Sequence, residues 1–87
     1  MVEKTYTILS PAGVQARTAA QLVNLASQFE SDILLKSNSK TVNLKSIMGV
    51  MSLAVGEGAA ITIAAEGTDQ QEALGQIDFF LLNEIAK

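Results

Sequence analysis

Lys40-Thr41-Val42-Asn43-Leu44-Lys45-Ser46-Ile47-Met48-Gly49-Val50-Met51-Ser52-Leu53 passes from a short strand into a short helix, and that passage decides the fold. Ser46 stands at the helix N-cap, where a side-chain oxygen accepts from a free backbone N–H of the first turn and contributes about 1 kcal/mol. Positions 47, 48 and 51 then share one helix face, while Val50 and Leu53 turn towards another. Both faces are apolar on a helix of about two turns, read as ending near Gly56-Glu57-Gly58. A core takes one stripe, most simply Val50 and Leu53. Ile47, Met48 and Met51 are then either a satellite of the core or an exposed partner surface, a role that suits the adaptable methionine side chain.

Upstream, Ser31–Lys36 and Lys40–Leu44 are strands joined by Ser37-Asn38-Ser39. Asn38 tolerates a positive φ, so the pair reads as a hairpin. Residues 3–9 form the first strand, and Ser10-Pro11-Ala12-Gly13 turns the chain. From Ala16 the pattern is helical: Ala19, Leu22, Val23, Ala26 and Phe29 make one stripe, with Arg17, Gln21, Asn24 and Gln28 on the polar side.

Downstream, Ala59–Glu66 alternates as a strand, and Gly67-Thr68-Asp69 turns the chain with Thr68 or Asp69 as N-cap. Gln70–Ala86 is a final helix with Ala73, Leu74, Ile77, Phe80, Leu81 and Ile85 on one side. Phe79 falls nearly opposite that stripe and Leu82 well off it. They are either solitary exposed residues or a hint of self-association or docking. The order β-α-β-β-α-β-α predicts an α+β open-faced β-sandwich: one four-stranded antiparallel sheet with three helices on one face. Without repeat or linker, residues 1–87 read as a single domain.

Composition narrows the chemistry. The apolar fraction is 48% and the charged fraction 17%, as in a globular chain. There is neither cysteine nor histidine, which removes disulfides, thiolate or imidazole metal sites and an imidazole base. A reducing cytoplasm is the simplest location. The net charge of −3 argues against non-specific nucleic-acid binding. The longest apolar run, Phe79–Leu82, is too short to span a membrane. No paired carboxylates or phosphate-cradling glycine loop points to catalysis, and no cofactor is implied.

With these residues in view, the chain resembles the HPr family, small phosphocarriers of the bacterial sugar phosphotransferase system, over essentially its full length. The Lys40–Leu53 stretch carries the resemblance most strongly, with Ser39 just before it where the family usually has glycine. The family's second signature, Gly-Ile/Val-His-Ala-Arg-Pro-Ala, stands here as Gly13-Val14-Gln15-Ala16-Arg17-Thr18-Ala19. Gln15 thus replaces the phosphoryl-accepting histidine and Thr18 the proline of the first helical turn. A carboxamide is a poor nucleophile, and no other histidine stands in for the lost one, so the carrier chemistry is not expected.

Gln15 with a retained serine is the pattern of the Crh (catabolite-repression HPr) subfamily. That resemblance implies a non-enzymatic regulator, phosphorylated on Ser46 by HPr kinase/phosphorylase and then acting as corepressor for the catabolite control protein, a LacI-type transcription factor. It further implies that Gln15, Ala16, Arg17, Ala20 and Asn24, with Ile47, Met48 and Met51, form the partner- and anion-binding surface. Arg17 would serve either phosphate on Ser46 or acidic groups of a partner, since guanidinium binds both bidentately. Dimerisation, with the first strand exchanged, is compatible with the same resemblance. Two other readings stand beside this one. The first is a phosphotransferase-system paralogue or variant that still docks the system's first enzyme. The second is a binding module for another target.

Overall fold

Ile61, Ile63 and Ala65 alternate with Thr62 and Ala64, and this period of two makes the interior strand on which the sheet is built. The computed structural model describes residues 1–87. Its elements are β1 (Val2–Thr7), α1 (Ala16–Ala26), β2 (Asp32–Ser37), β3 (Lys40–Asn43), α2 (Ile47–Ser52), β4 (Ala60–Glu66) and α3 (Gln70–Glu84). The sheet is antiparallel with strand order β1-β4-β2-β3. In register, Tyr6 faces Ile61, Ile33 faces Ala65 and Leu35 faces Ile63.

The helices lie together over the sheet: α3 packs against β1 and β4, α2 against β3, and α1 against its two fellow helices. The α+β open-faced sandwich is therefore the fold. Tyr6, Ile8, Leu22, Ile33, Leu35, Ile61, Ile63, Ile77 and Leu81 are sealed from solvent in its core. Each such aliphatic side chain contributes roughly 1.5–3 kcal/mol through burial. No helix is long and apolar enough to cross a membrane.

Local chemistry explains the connections. Ser37 pairs with Lys40 across a two-residue turn in which Asn38 and Ser39 both have positive φ, 53° and 65°. That is the type I′ requirement for a hairpin, and Ser39 adopts the left-handed conformation without being glycine. Gly13 (φ 68°) brings the chain into α1 beneath Val55, where an added Cβ would lie 2.3 Å from the Val55 carbonyl oxygen. Val14 N–H donates to that same oxygen at 3.0 Å.

Three helix ends differ from the sequence reading. Helix α2 stops at Ser52 rather than near Gly56-Glu57-Gly58. Leu53 and Val55 are both buried, and the chain achieves this by reversing at Ala54, whose φ is 50°. Helix α1 ends at Ala26, so Phe29 lies beyond it and is half-buried, as Val23 is within it. Helix α3 ends at Glu84 because the last residues pair with β1 instead. Thr7 N–H donates to Lys87 O at 2.8 Å, Lys87 N–H to Thr7 O at 3.0 Å, and Leu9 N–H to Ile85 O at 2.7 Å. Part of an edge strand that would otherwise leave its backbone unpaired is thereby satisfied.

Candidate functional site

Ser46 is fixed from both sides. Leu44, fully buried, anchors the end of the hairpin, and its N–H donates to Ile33 O at 2.9 Å. Asn43 then folds the chain: its side-chain oxygen accepts from Lys45 N–H at 2.9 Å and its carbonyl from Ser46 N–H at 3.0 Å. Ser46 follows with extended backbone, φ −110° and ψ 113°, as an N-cap requires. Its Oγ accepts from Gly49 N–H at 3.1 Å, and its carbonyl accepts from Val50 N–H at 3.0 Å.

The two stripes of α2 separate as their angles dictate. Val50 and Leu53 point inward at 2% and 4% exposure, while Ile47, Met48 and Met51 remain 40%, 81% and 41% exposed. The exposed three make a contiguous apolar strip beside Ser46 that the chain itself leaves uncovered. No carboxylate, lysine or other titratable side chain bonds the Ser46 hydroxyl. It is a structural hydroxyl without a base of its own, so any phosphoryl transfer to it draws that base from another protein.

Gln15 is the N-cap residue of α1, with φ −85° and ψ 168°, and its side chain makes no capping bond. Its carbonyl accepts from Ala19 N–H at 2.8 Å, so the backbone does the helix's work and leaves the amide exposed. Ala16, Arg17, Ala20 and Asn24 are exposed on α1 as well, and Thr18 is half-buried. Gln15, Arg17, Thr18 and Gln21 line a shallow depression with Glu84 and Ile85 from the end of α3.

That neighbourhood carries electrostatic logic. Arg17 opposes the positive end of its own helix and shares this depression with Glu84 at the negative C-terminal end of α3, with which it forms no ion pair. Ser46 is not among the residues of this depression. Lys45, the cation nearest Ser46 in sequence, has its Nζ tied to Phe29 O at 2.7 Å. Sequence reasoning missed Glu84 and Ile85 as neighbours of Gln15, and no local spacing signals them, because they arrive from the far end of the chain.

Comparison with known proteins agrees with this architecture. Residues 2–82 match the family model PTS-HPr, described as the PTS HPr component phosphorylation site. The structure is similar to the histidine-containing phosphocarrier protein of Mycoplasma, with TM-score 0.91 and 38% identity over 94% of this chain and 93% of that one. It is similar to the phosphocarrier protein HPr of Bacillus anthracis, with TM-score 0.84 and 47% identity over 91% and 94%. It is similar too to the Bacillus subtilis catabolite-repression protein Crh, described as a domain-swapped dimer, with TM-score 0.76 and 42% identity over the full length of both chains. Fold, sequence and these likenesses agree: the chain belongs to the HPr family, whose members are phosphocarriers and not enzymes.

Proposed function

We propose that this chain is a Crh-like regulator. It is phosphorylated on Ser46 by the ATP-dependent HPr kinase/phosphorylase in the cytoplasm, and in that form acts as corepressor of the catabolite control protein. The single observation that carries the reading is the contrast between the family's two phosphorylation segments. The Gln15 amide is exposed and uncapped in a chain without histidine, whereas Ser46 retains its N-cap geometry beside an uncovered Ile47/Met48/Met51 strip. A carboxamide does not form a transferable phosphoryl bond and a serine hydroxyl accepts one from ATP, so signalling survives where carrying does not.

Phosphate at Ser46 adds nearly two negative charges and three acceptors at the start of α2 without displacing a core residue. The expected effect is a changed local field beside an unchanged apolar strip, which the transcription factor reads together. A homodimer is proposed on the likeness to Crh, described as a swapped dimer, and to an HPr dimer of Thermoanaerobacter tengcongensis. Incubation with ATP and HPr kinase/phosphorylase, followed by intact and peptide masses, tests the reading directly. One phosphoryl group on the Ser46 peptide is expected, and an unmodified chain would refute the assignment.

A second reading is favoured by the 47% identity to the Bacillus anthracis HPr. The chain would then be a phosphotransferase-system paralogue or variant that docks the system's first enzyme through the Gln15–Asn24 face and takes no phosphate from it. Binding of that enzyme without phosphoenolpyruvate-dependent labelling, together with an unmodified Ser46, would select it.

A further inference from the structure

Gly49 stands over the Ser46 hydroxyl. Its N–H holds Ser46 Oγ at 3.1 Å, and a Cβ added to it would lie 3.3 Å from that oxygen, 3.3 Å from Val42 Cβ and 3.4 Å from Ser46 Cβ. These separations are tighter than ordinary carbon contacts. Of these three atoms only the hydroxyl oxygen can turn aside. Val42 Cβ is set by the backbone of a paired strand and Ser46 Cβ by a backbone tied through Asn43 and the start of α2, whereas Ser46 Oγ turns about χ1. Gly75 in α3 provides the contrast, since a Cβ there meets nothing within 4 Å. Glycine weakens a helix interior, so its presence inside a six-residue helix asks for a reason, and at position 49 the crowding against Ser46 supplies one.

We propose that Gly49 is a positioning residue for phosphorylation of Ser46, an inference that rests on the Ser46 reading above. Its N–H holds the hydroxyl in one rotamer, and its missing Cβ leaves the approach to Oγ open. In the reaction, Ser46 Oγ forms a bond to the γ-phosphorus of ATP while the bond from that phosphorus to the β–γ bridging oxygen breaks. ADP departs, and the hydroxyl proton passes to a base of the kinase. Such transfer depends on in-line alignment of attacking and leaving oxygens. A methyl at position 49 presses on Oγ and turns it about χ1. It leaves Ile47, Met48 and Met51 unaltered as a docking strip, so alignment suffers and docking does not.

The test compares wild type, Gly49→Ala and Gly75→Ala with ATP and HPr kinase/phosphorylase. Steady-state kinetics of Ser46 labelling are read by peptide mass, and folding is checked by thermal unfolding and amide NMR spectra. Gly75→Ala is expected to match wild type. Gly49→Ala is expected to lose at least about tenfold in kcat with KM changed less than about twofold. Wild-type kcat in Gly49→Ala, or a loss confined to KM, overturns the proposal while leaving Ser46 as the phosphosite. No labelling of wild type overturns the Ser46 reading itself. Should Gly49→Ala fail to fold, the double variant Val42→Gly/Gly49→Ala removes the strand-side Cβ, keeps the contact with Ser46 Oγ and carries the same expected loss of kcat.

Discussion

Tyr6 donates its hydroxyl to Asp78 Oδ1 at 2.6 Å, tying β1 to α3 across the sheet edge. Lys4 Nζ donates to the same oxygen at 2.8 Å and lies 5.5 Å from the Tyr6 ring centre. Burial first, then the bond to Asp78 and its charge, push the phenol well above its ordinary range. The bond from Lys4 and then that from Tyr6 hold the Asp78 carboxyl below the usual carboxylate range.

Tyr6→Phe should therefore destabilise the chain by about 1.5 kcal/mol, a fall in Tm of about 6–12 °C. The sign of the alkaline effect follows from the raised phenol. The unfolded phenol ionises near pH 10 while the folded one stays neutral, so stability is lost as pH rises beyond about 10. Tyr6 is the chain's one tyrosine. Urea midpoints at about pH 9 and pH 11 should fall less steeply in Tyr6→Phe than in wild type, and equal slopes would contradict this.

Asp69 supplies the acid counterpart. Its carboxylate accepts from the Ser31 hydroxyl, from Ser31 N–H at 2.9 Å and from Glu30 N–H at 2.9 Å, joining the start of α3 to the chain entering β2. The Ser31 hydroxyl first, and the Glu30 N–H next, hold its carboxyl below the ordinary range. Lowered carboxyls contribute stability above the unfolded value near pH 4 and lose it as pH falls through the folded value. Asp69→Asn, with one acceptor oxygen facing three donors, should lower the urea midpoint at neutral pH and flatten its decline between about pH 5 and pH 2. An unchanged acid slope would show that Asp69 contributes nothing to it.

Ala54 and Ser39 hold left-handed backbone that glycine adopts freely, with φ 50° and 65°. Ala54→Gly and Ser39→Gly should each raise stability by about 0.5–1 kcal/mol, the relief of left-handed strain exceeding glycine's larger unfolded-state entropy. Urea unfolding checks both. Lower midpoints in both variants would mean that side-chain contacts there outweigh the backbone.

Met48 is 81% exposed on the strip beside Ser46. Met48→Asp should change stability by less than about 0.5 kcal/mol. The same change should weaken binding of the Ser46-phosphorylated chain to the catabolite control protein at least about tenfold. Urea unfolding reads the first effect and calorimetric titration the second, and undiminished affinity would remove Met48 from the proposed interface.

Much of the fold is legible in the periodicities. Alternation marks β4, the stripe of Ala19, Leu22 and Ala26 marks α1, and Ala73, Ile77 and Leu81 are the buried line of α3. Phe79 and Leu82 fall on its outer side as their angles require, at 69% and 43% exposure. Ser46 as N-cap is equally local, since the capping bond spans only three residues. The helix ends are less legible. Ile85-Ala86 continues an apolar helical pattern, yet those residues leave α3 because β1, far away in sequence, has backbone groups to satisfy.

The candidate site divides in the same way. Ser46, Ile47, Met48 and Met51 belong to one short segment, and their facing can be worked out from 100° per residue. The neighbours of Gln15 cannot, because Glu84 and Ile85 reach it only through the packing of α3 against α1. The crowding of Gly49 by Val42 likewise needs the hairpin folded back onto α2.

Residue pattern alone establishes the order of elements, the buried stripes of α1 and α3, and the loss of imidazole chemistry through Gln15. Residue type and local period act within a turn or two of chain, where sterics and backbone hydrogen bonding are nearly independent of the rest. The strand order β1-β4-β2-β3, the pairing of Lys87 with Thr7 and the three donors on Asp69 emerge from the folded chain. So does the depression that Arg17 shares with Glu84 and Ile85. Each of these joins groups far apart in sequence, which meet once burial of a shared core outweighs the entropy of closing the chain between them.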